Sequence, residues 1–143
     1  MDHITIPNAC RPEPGVLTGG QPALEQAPAL AAAGVRTVVN LRAEEPALRA
    51  AEQAAFEAAG VRYVAIPVPG LAGVTHENAA QLAAVLADVS ARPLIVHCKS
   101  GNRVGALVAL SAAAGGADLE AAVRQGRAYG LTSLEPAVRD ILG

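Results

Sequence analysis

The segment that decides the fold runs from Leu94 to Val104 and reads LIVHCKSGNRV. Its first four residues, Leu94 to His97, are mostly aliphatic and β-branched, which predicts a buried strand. After Arg103, from Val104 to about Ala114, the chain is apolar on nearly every side, which predicts a buried helix. Only a short turn separates the two, so the segment is a strand–turn–helix unit.

The same alternation continues on both sides of this unit. Short β-branched runs at 16–18, 37–41 and 62–66 predict further strands, and alanine-rich stretches between them predict helices. The inner face of the helix after Pro46 is expected to hold Leu48, Ala51, Ala55 and Ala59. Strand–helix repetition favours parallel pairing with right-handed crossovers. We therefore expect an α/β three-layer sandwich, with a central, mainly parallel sheet of about four to five strands flanked by helices.

Length and composition limit the classes of function. A chain of 143 residues predicts one domain over 1–143, with its core in about 15–143. The net charge of −2 and the 2% aromatic content argue against a nucleic-acid partner. No long apolar window or signal-like N-terminus is visible, which predicts a cytoplasmic protein with reduced thiols and no membrane partner. The histidines and cysteines do not fall at metal-ligand spacing, so no metal or cofactor is expected. The oligomeric state stays open.

The turn from Cys98 to Arg103 lies where α/β sheets bind ligands, beyond the carboxyl end of a strand. Gly101 permits a backbone conformation in which consecutive N–H groups converge on an anion. The N-terminus of the following helix adds partial positive charge, and Arg103 offers a planar fork for two oxygens. Such a field favours the thiolate of Cys98, which is a nucleophile. The plainer alternative is an inert, buried cysteine.

Three neighbouring side chains have two interpretations each. His97 is expected to hydrogen-bond the loop backbone and support the thiolate, or to be a structural histidine. Lys99, the sole lysine, adds to the positive field or is simply solvated. Arg42 ends a strand on the same side of the sheet, and it either gathers the anion or is an exposed strand-end arginine.

Residues 97–104 resemble the signature loop of the cysteine-dependent protein tyrosine and dual-specificity phosphatase superfamily. More closely, they resemble the bacterial beta-lactamase-hydrolase-like family of phosphatase-like domains, as do the segments 19–22, 38–42, 66–68 and 130–136. The likeness covers roughly residues 15–140. It implies a phosphatase-like fold and a phosphorylated small-molecule or protein substrate. The implied roles are Cys98 as the nucleophile that forms a phosphocysteine, Arg103 as the oxyanion clamp, and a substrate cradle formed by the backbone of Lys99, Ser100, Gly101, Asn102 and Arg103.

Two departures from the phosphatase pattern keep other functions open. Four residues separate Cys98 from Arg103, one fewer than in the common phosphatase loop and as in rhodanese-type sulfurtransferases. Sulfur transfer from a sulfane-sulfur donor through a Cys98 persulfide is therefore an alternative, and a non-catalytic phospho-ligand binding module is another. Val104 stands where phosphatases usually have serine or threonine, which predicts slow breakdown of a phosphocysteine.

A general acid for the leaving group is not evident. The loop 67–74 contains no aspartate, and the nearest candidates are His76 and Glu77 at the start of the next helix. Glu44 and Glu45 are a weaker alternative, better explained as an acidic pair before a helix. Weak acid catalysis predicts activity on esters with good leaving groups and poor activity on alkyl phosphates.

Overall fold

A computed structural model describes residues 1–143. It contains five strands: β1 (Cys10–Glu13), β2 (Val16–Gly19), β3 (Thr37–Arg42), β4 (Arg62–Val68) and β5 (Leu94–His97). The α-helices are α1 (Ala27–Ala32), α2 (Pro46–Ala58), α3 (His76–Ala87), α4 (Asn102–Ala114), α5 (Leu119–Ala128) and α6 (Glu135–Leu142). Short 3₁₀ turns occur at Leu24–Gln26, Gly70–Gly73 and Val89–Ala91.

The strands form one sheet in the order β1-β2-β5-β3-β4. The pairs β2–β5, β5–β3 and β3–β4 are parallel, and only β1 is antiparallel to its neighbour. The predicted α/β fold with a mainly parallel sheet is therefore confirmed. Because β5 lies between β2 and β3, it is the central strand, and its carboxyl end places Cys98 in the middle of the sheet edge.

Alternate strand residues pack into two separate cores, one on each face of the sheet. Val39 and Val96 belong to the larger cluster of 22 buried residues, together with side chains from α3 to α6. Val38 and Ile95 belong to a cluster of nine that includes side chains of α1 and α2. Every residue of α4 from Val104 to Leu110 is buried, which confirms the prediction of a buried helix after the cysteine turn.

The sequence interpretation missed one strand and shortened another. The edge strand β1 pairs with β2 through a hairpin in which Gly15 has a φ of +79°. β4 continues through Pro67 to Val68, which is compatible with proline because β4 is an edge strand. Ile6, outside the range expected to hold the core, is also buried.

Two helices have an N-cap residue whose side chain accepts a backbone hydrogen bond. Thr75 accepts a hydrogen bond from the backbone N–H of Asn78 at 3.2 Å, and Asp118 accepts one from Ala121 at 2.8 Å. None of the helices combines the length and the apolar character that a membrane-crossing segment requires.

Candidate active site

The turn between β5 and α4 holds the Cys98 sulfur against a backbone donor. Gly101 is the N-cap of α4 and has a φ of +96°, the left-handed conformation expected of it. In this conformation its N–H donates to Cys98 Sγ at 3.0 Å. Cys98 itself is only 1% exposed. The sulfur is thus a hydrogen-bond acceptor at a helix N-terminus, where the partial positive charge of the helix attracts anions.

A pair of glycines supports the turn from the β2 side. Gly19 O accepts a hydrogen bond from the Cys98 N–H at 3.2 Å, and Gly20 forms an isolated bridge with Ser100. A β-carbon on Gly20 would lie 2.5 Å from the carbonyl oxygen of Lys99. The backbones of the two segments can approach this closely only because a side chain is absent.

The connection between α5 and α6 supports the turn from the other side. A β-carbon on Gly130 would lie 2.7 Å from the Gly101 carbonyl oxygen. The Asn102 side chain donates to Ser133 Oγ at 2.7 Å and accepts from the N–H groups of Thr132 and Leu134. The Asn102 side chain therefore fastens the start of α4 to this connection, which leaves its backbone as the part available to a substrate cradle.

Arg103 is bound end-on by a carboxylate. Its Nη1 and Nη2 donate to the two oxygens of Glu44 at 2.9 and 2.8 Å, and Nη1 also donates to the Val68 carbonyl at 2.9 Å. The hydrogen bonds from Arg103 hold the pKa of Glu44 far below its ordinary value, against the opposing effect of burial. The pKa of Arg103 is raised, chiefly by its bonds to Glu44 and further by the nearby Cys98 sulfur. Glu44 is therefore an ionised partner of Arg103.

Arg42 is buried, so the interpretation of an exposed strand-end arginine is wrong. It is 4% exposed, because β3 extends through it and the turn before α2 folds over it. Its guanidinium donates to Gln21 Oε1 at 2.8 Å, to Glu44 at 3.1 Å and to Glu45. The predicted substrate-binding role of Arg42 would thus require a group that already has three partners within the protein.

His97 contacts the turn backbone, as its position suggested. Its ring is fully buried, with Nδ1 3.1 Å from the Cys98 carbonyl oxygen and Nε2 2.7 Å from Glu52 Oε2. Glu52, in α2, is also fully buried and was not identified from the sequence. The signal that could have found it is its position one helical turn from Phe56, on the face that α2 buries.

The remaining predicted site residues do not hydrogen-bond to the Cys98 sulfur through their side chains. Lys99 and Ser100 are exposed, and the Ser100 carbonyl accepts from Asn8 at 3.1 Å. His76 and Glu77 are exposed in the first turn of α3, and neither forms a hydrogen bond with the turn 98–103. His76 instead lines a groove whose α4 wall comes from the second half of that helix. The described residues include no cluster of three or more potential metal ligands.

Comparison with protein families gives a match over most of the chain. Residues 8–135 match the family described as "DSP-PTPase phosphatase fused to NAD+ Kinase". The beta-lactamase hydrolase-like proteins of two Xylella fastidiosa strains are 38% identical over 96 residues, which is 64% of this chain and 22% of theirs. This chain thus spans about a fifth of the length of those relatives.

Solved structures share the fold at low sequence identity. The core catalytic domain of the S. cerevisiae PP-IP phosphatase SIW14, in complex with citrate, superposes with a TM-score of 0.70 at 14% identity. That match covers 98% of this chain and 88% of the SIW14 chain. P. aeruginosa TpbA, in complex with pTyr, gives a TM-score of 0.55 at 22% identity, over 94% and 90% of the two chains.

Proposed function

Since the chain belongs to the family of DSP-PTPase phosphatases described as fused to NAD+ kinase, we propose that Cys98 is the nucleophile with which it hydrolyses phosphate monoesters. Membership confirms the resemblance inferred from residues 97–104, and it makes the chain a phosphatase-type hydrolase. We further propose that residues 1–143 act as one domain, because both buried clusters pack on the same sheet.

The observation that carries this proposal is the hydrogen bond from the Gly101 N–H to Cys98 Sγ at 3.0 Å. A sulfur held as an acceptor at the start of α4 is ready to attack phosphorus. In the first step the S–P bond forms, the ester P–O bond breaks, and the alcohol oxygen leaves with the bonding electrons. In the second step a water oxygen attacks phosphorus, the S–P bond breaks, and the thiolate and inorganic phosphate are released.

Arg103 supports the proposal through the edge of its guanidinium that remains free. Both protons of Nη1 and one of Nη2 are donated to Glu44 and to the Val68 carbonyl. Nε–H and the second proton of Nη2 donate to no oxygen of the protein, and together they form a two-pronged edge with the Cys98 sulfur nearby. This edge can bind two phosphate oxygens while Glu44 keeps the guanidinium in place.

The leaving group in this proposal departs with little help from the protein. Glu44 is the carboxylate beside Arg103, but its lowered pKa leaves it without a proton to donate at neutral pH. His76 and Glu77 remain predicted candidates for the acid. Without an efficient acid, which typically contributes about 10²- to 10⁴-fold, the enzyme depends on the acidity of the alcohol. We therefore propose aryl phosphates, on small molecules or on proteins, as the substrate class.

The test is a set of turnover assays with an aryl phosphate, an alkyl phosphate and thiosulfate. Cys98→Ser is compared with the wild type and with Cys10→Ser, a matched control at the chain's other free cysteine, which is half-buried. The wild type and Cys10→Ser are expected to release phosphate from the aryl ester at least about 100-fold faster than from the alkyl ester. Cys98→Ser is expected to release none.

Two results would overturn the proposal. Phosphate release by Cys98→Ser at the wild-type rate would show that another group attacks the ester. A persulfide formed on Cys98 from thiosulfate, with the aryl phosphate untouched, would favour sulfur transfer, the alternative raised by the four-residue spacing between Cys98 and Arg103.

A further inference from the structure

We propose that Glu52 is a positioning residue that keeps His97 in its doubly protonated form, so that a buried imidazolium lies beneath the Cys98 turn. The inference rests on the proposed cysteine chemistry for its consequence and on hydrogen-bond geometry for its basis. Glu52 contacts His97, and His97 in turn contacts the carbonyl oxygen of Cys98. Glu52 comes from α2, which packs on the opposite face of the sheet from α4.

Glu52 is surrounded by groups from three other parts of the chain. Its Oε2 lies 2.7 Å from His97 Nε2 on β5 and 2.7 Å from the Tyr63 hydroxyl on β4. Its Oε1 is in contact with Gln21 Nε2, from the segment after β2. The side chain of Glu52 is 0% exposed, so these three groups replace water completely. A buried carboxylate is tolerated only when such partners donate to it.

The donor role of Tyr63 follows from a chain of bonds that begins at the backbone. The Arg42 N–H donates to Asn40 Oδ1 at 2.8 Å, which fixes the orientation of the Asn40 amide. Asn40 Nδ2 must then be the group that donates to the Tyr63 hydroxyl oxygen, at 2.8 Å. The hydroxyl accepts from Asn40, so its proton is directed to Glu52.

The donor role of Gln21 follows in the same way. Arg42 Nη1 can only donate, and its partner at 2.8 Å is Gln21 Oε1. The carbonyl end of the Gln21 side chain is therefore turned to Arg42, and the amide nitrogen is turned to Glu52. Two of the three neighbours of Glu52 are thus fixed as donors by Arg42, one through its backbone and the other through its side chain.

The protonation state of His97 follows from the charge of Glu52 and from the acceptor at the other ring nitrogen. Burial by itself would raise the pKa of Glu52, but the Tyr63 hydroxyl and the Gln21 amide, which are fixed as donors independently of His97, lower it and favour the ionised carboxylate. An ionised Glu52 requires a proton on His97 Nε2. The other ring nitrogen faces the Cys98 carbonyl oxygen, which also only accepts, so Nδ1 carries a proton too. Two protons on the ring make it an imidazolium.

The consequence concerns the charge next to the sulfur. An imidazolium that donates to the Cys98 carbonyl polarises the turn and favours a negative sulfur. The other charged or titratable groups around this pair are Tyr63 on β4, Arg42 on β3, Arg49 on α2, and Cys98 and Arg103 at the turn. Arg42 is neutralised by Glu44 and Glu45, and Arg49 donates to the carbonyls of residues 42 and 43. Glu52 is the carboxylate in contact with His97.

The first test uses Glu52→Gln, which keeps the shape of the side chain and removes its charge. The matched control is Glu57→Gln, an exposed glutamate on the same helix. The rate of Cys98 alkylation by iodoacetamide is measured against pH, with the modified peptide identified by mass spectrometry. Loss of the imidazolium is expected to move the midpoint of this profile upward by about one pH unit, or about tenfold in thiolate on its acid side. Glu57→Gln is expected to match the wild type.

The second test needs no substitution and therefore does not depend on the folding of a variant. His97 is buried whereas His3 and His76 are exposed, so its ring protons exchange slowly with water and can be identified by NMR. The wild type is expected to show two protonated ring nitrogens on His97 at pH 7.5. A single ring proton on His97 would overturn the inference. A Glu52→Gln protein whose Cys98 alkylation has the same pH midpoint as the wild type would also overturn it.

These readouts separate the inference from the proposed function, because neither requires turnover. If the imidazolium and the shifted profile are observed but Cys98→Ser still hydrolyses the aryl ester, the proposed function fails and the His97–Glu52 pair stands. If turnover depends on Cys98 while Glu52→Gln has the wild-type alkylation profile, the inference fails and the phosphatase proposal stands.

Discussion

Replacement of Gly105 by alanine tests how closely α4 must approach α5 to hold the cysteine turn in place. A β-carbon at Gly105 would lie 2.1 Å from the backbone nitrogen of Leu131 and 2.5 Å from the carbonyl oxygen of Gly126. The approach is mutual, since a β-carbon at Gly126 would lie 2.7 Å from the Gly105 carbonyl oxygen. These neighbours are backbone atoms, so the helices must separate to admit a methyl group.

The expected loss of stability follows from two opposing effects. Overpacking costs typically about 1–3 kcal/mol, and contact with backbone on several sides favours the upper end of that range. Alanine stabilises a helix by about 1 kcal/mol relative to glycine, which offsets part of the packing cost. Gly105→Ala should therefore destabilise the fold by about 2 kcal/mol, which lowers the melting temperature by roughly 6 °C for a chain of this size.

The assay is thermal unfolding followed by circular dichroism, with Gly115→Ala as the control. Gly115 follows the same helix at a φ of −81°, and its added β-carbon would meet only ordinary contacts, at 3.5 Å or more. The control is expected to stay within about 0.5 kcal/mol of the wild type. A Gly105→Ala protein as stable as this control would refute the close approach of the two helices.

Three further changes have expected outcomes. Glu44→Gln should raise KM for an aryl phosphate about fivefold, because a half-exposed ion pair is worth up to about 1 kcal/mol. It should keep both limbs of the pH profile of kcat/KM, and loss of a limb would instead identify Glu44 as the acid. Asp118→Ala should cost about 1 kcal/mol in urea unfolding through loss of an N-cap, whereas Asp118→Asn should be nearly neutral. The melting temperature should fall as the pH drops below about 5, because carboxyls with a lowered pKa in the folded protein stabilise it only while they are ionised. Arg127 holds the pKa of Glu135 at about 2, and the pKa values of Glu13 and Glu52 are also lowered. A melting temperature that rises on acidification would contradict these assignments.

The parts of the fold that depend on local chemistry could be predicted from the sequence. β5, the turn and α4 are encoded within residues 94–114, where an apolar strand sequence, a turn with Gly101 and Arg103, and an apolar helix sequence follow each other without long-range help. The edge strand β1 could not be predicted in this way. Its sequence, CRPE, has no apolar alternation, and it becomes a strand only because β2 offers a pairing partner.

The buried charges of the site depend on contacts between distant segments. The predicted inner face of α2 was wrong in part: Ala55 and Ala59 pack against the smaller core, but Ala51 is exposed, and Glu52 and Phe56 are the buried residues of the helix. In an alanine-rich helix the small side chains say little about which face is buried. Glu52 can be buried because His97, Tyr63 and Gln21 converge on it from three other segments, and this convergence appears only in the folded chain.

The measurement that tests the central claim most directly is a search for the covalent intermediate on Cys98. The wild-type protein is mixed with an aryl phosphate, quenched in acid within the first turnover, and digested for mass spectrometry. The expected result is a phosphoryl group on the peptide that contains Cys98, favoured by Val104 in the position next to Arg103, and its absence in Cys98→Ser. Rapid phosphate release in the first turnover with an unmodified Cys98 peptide throughout would contradict the account.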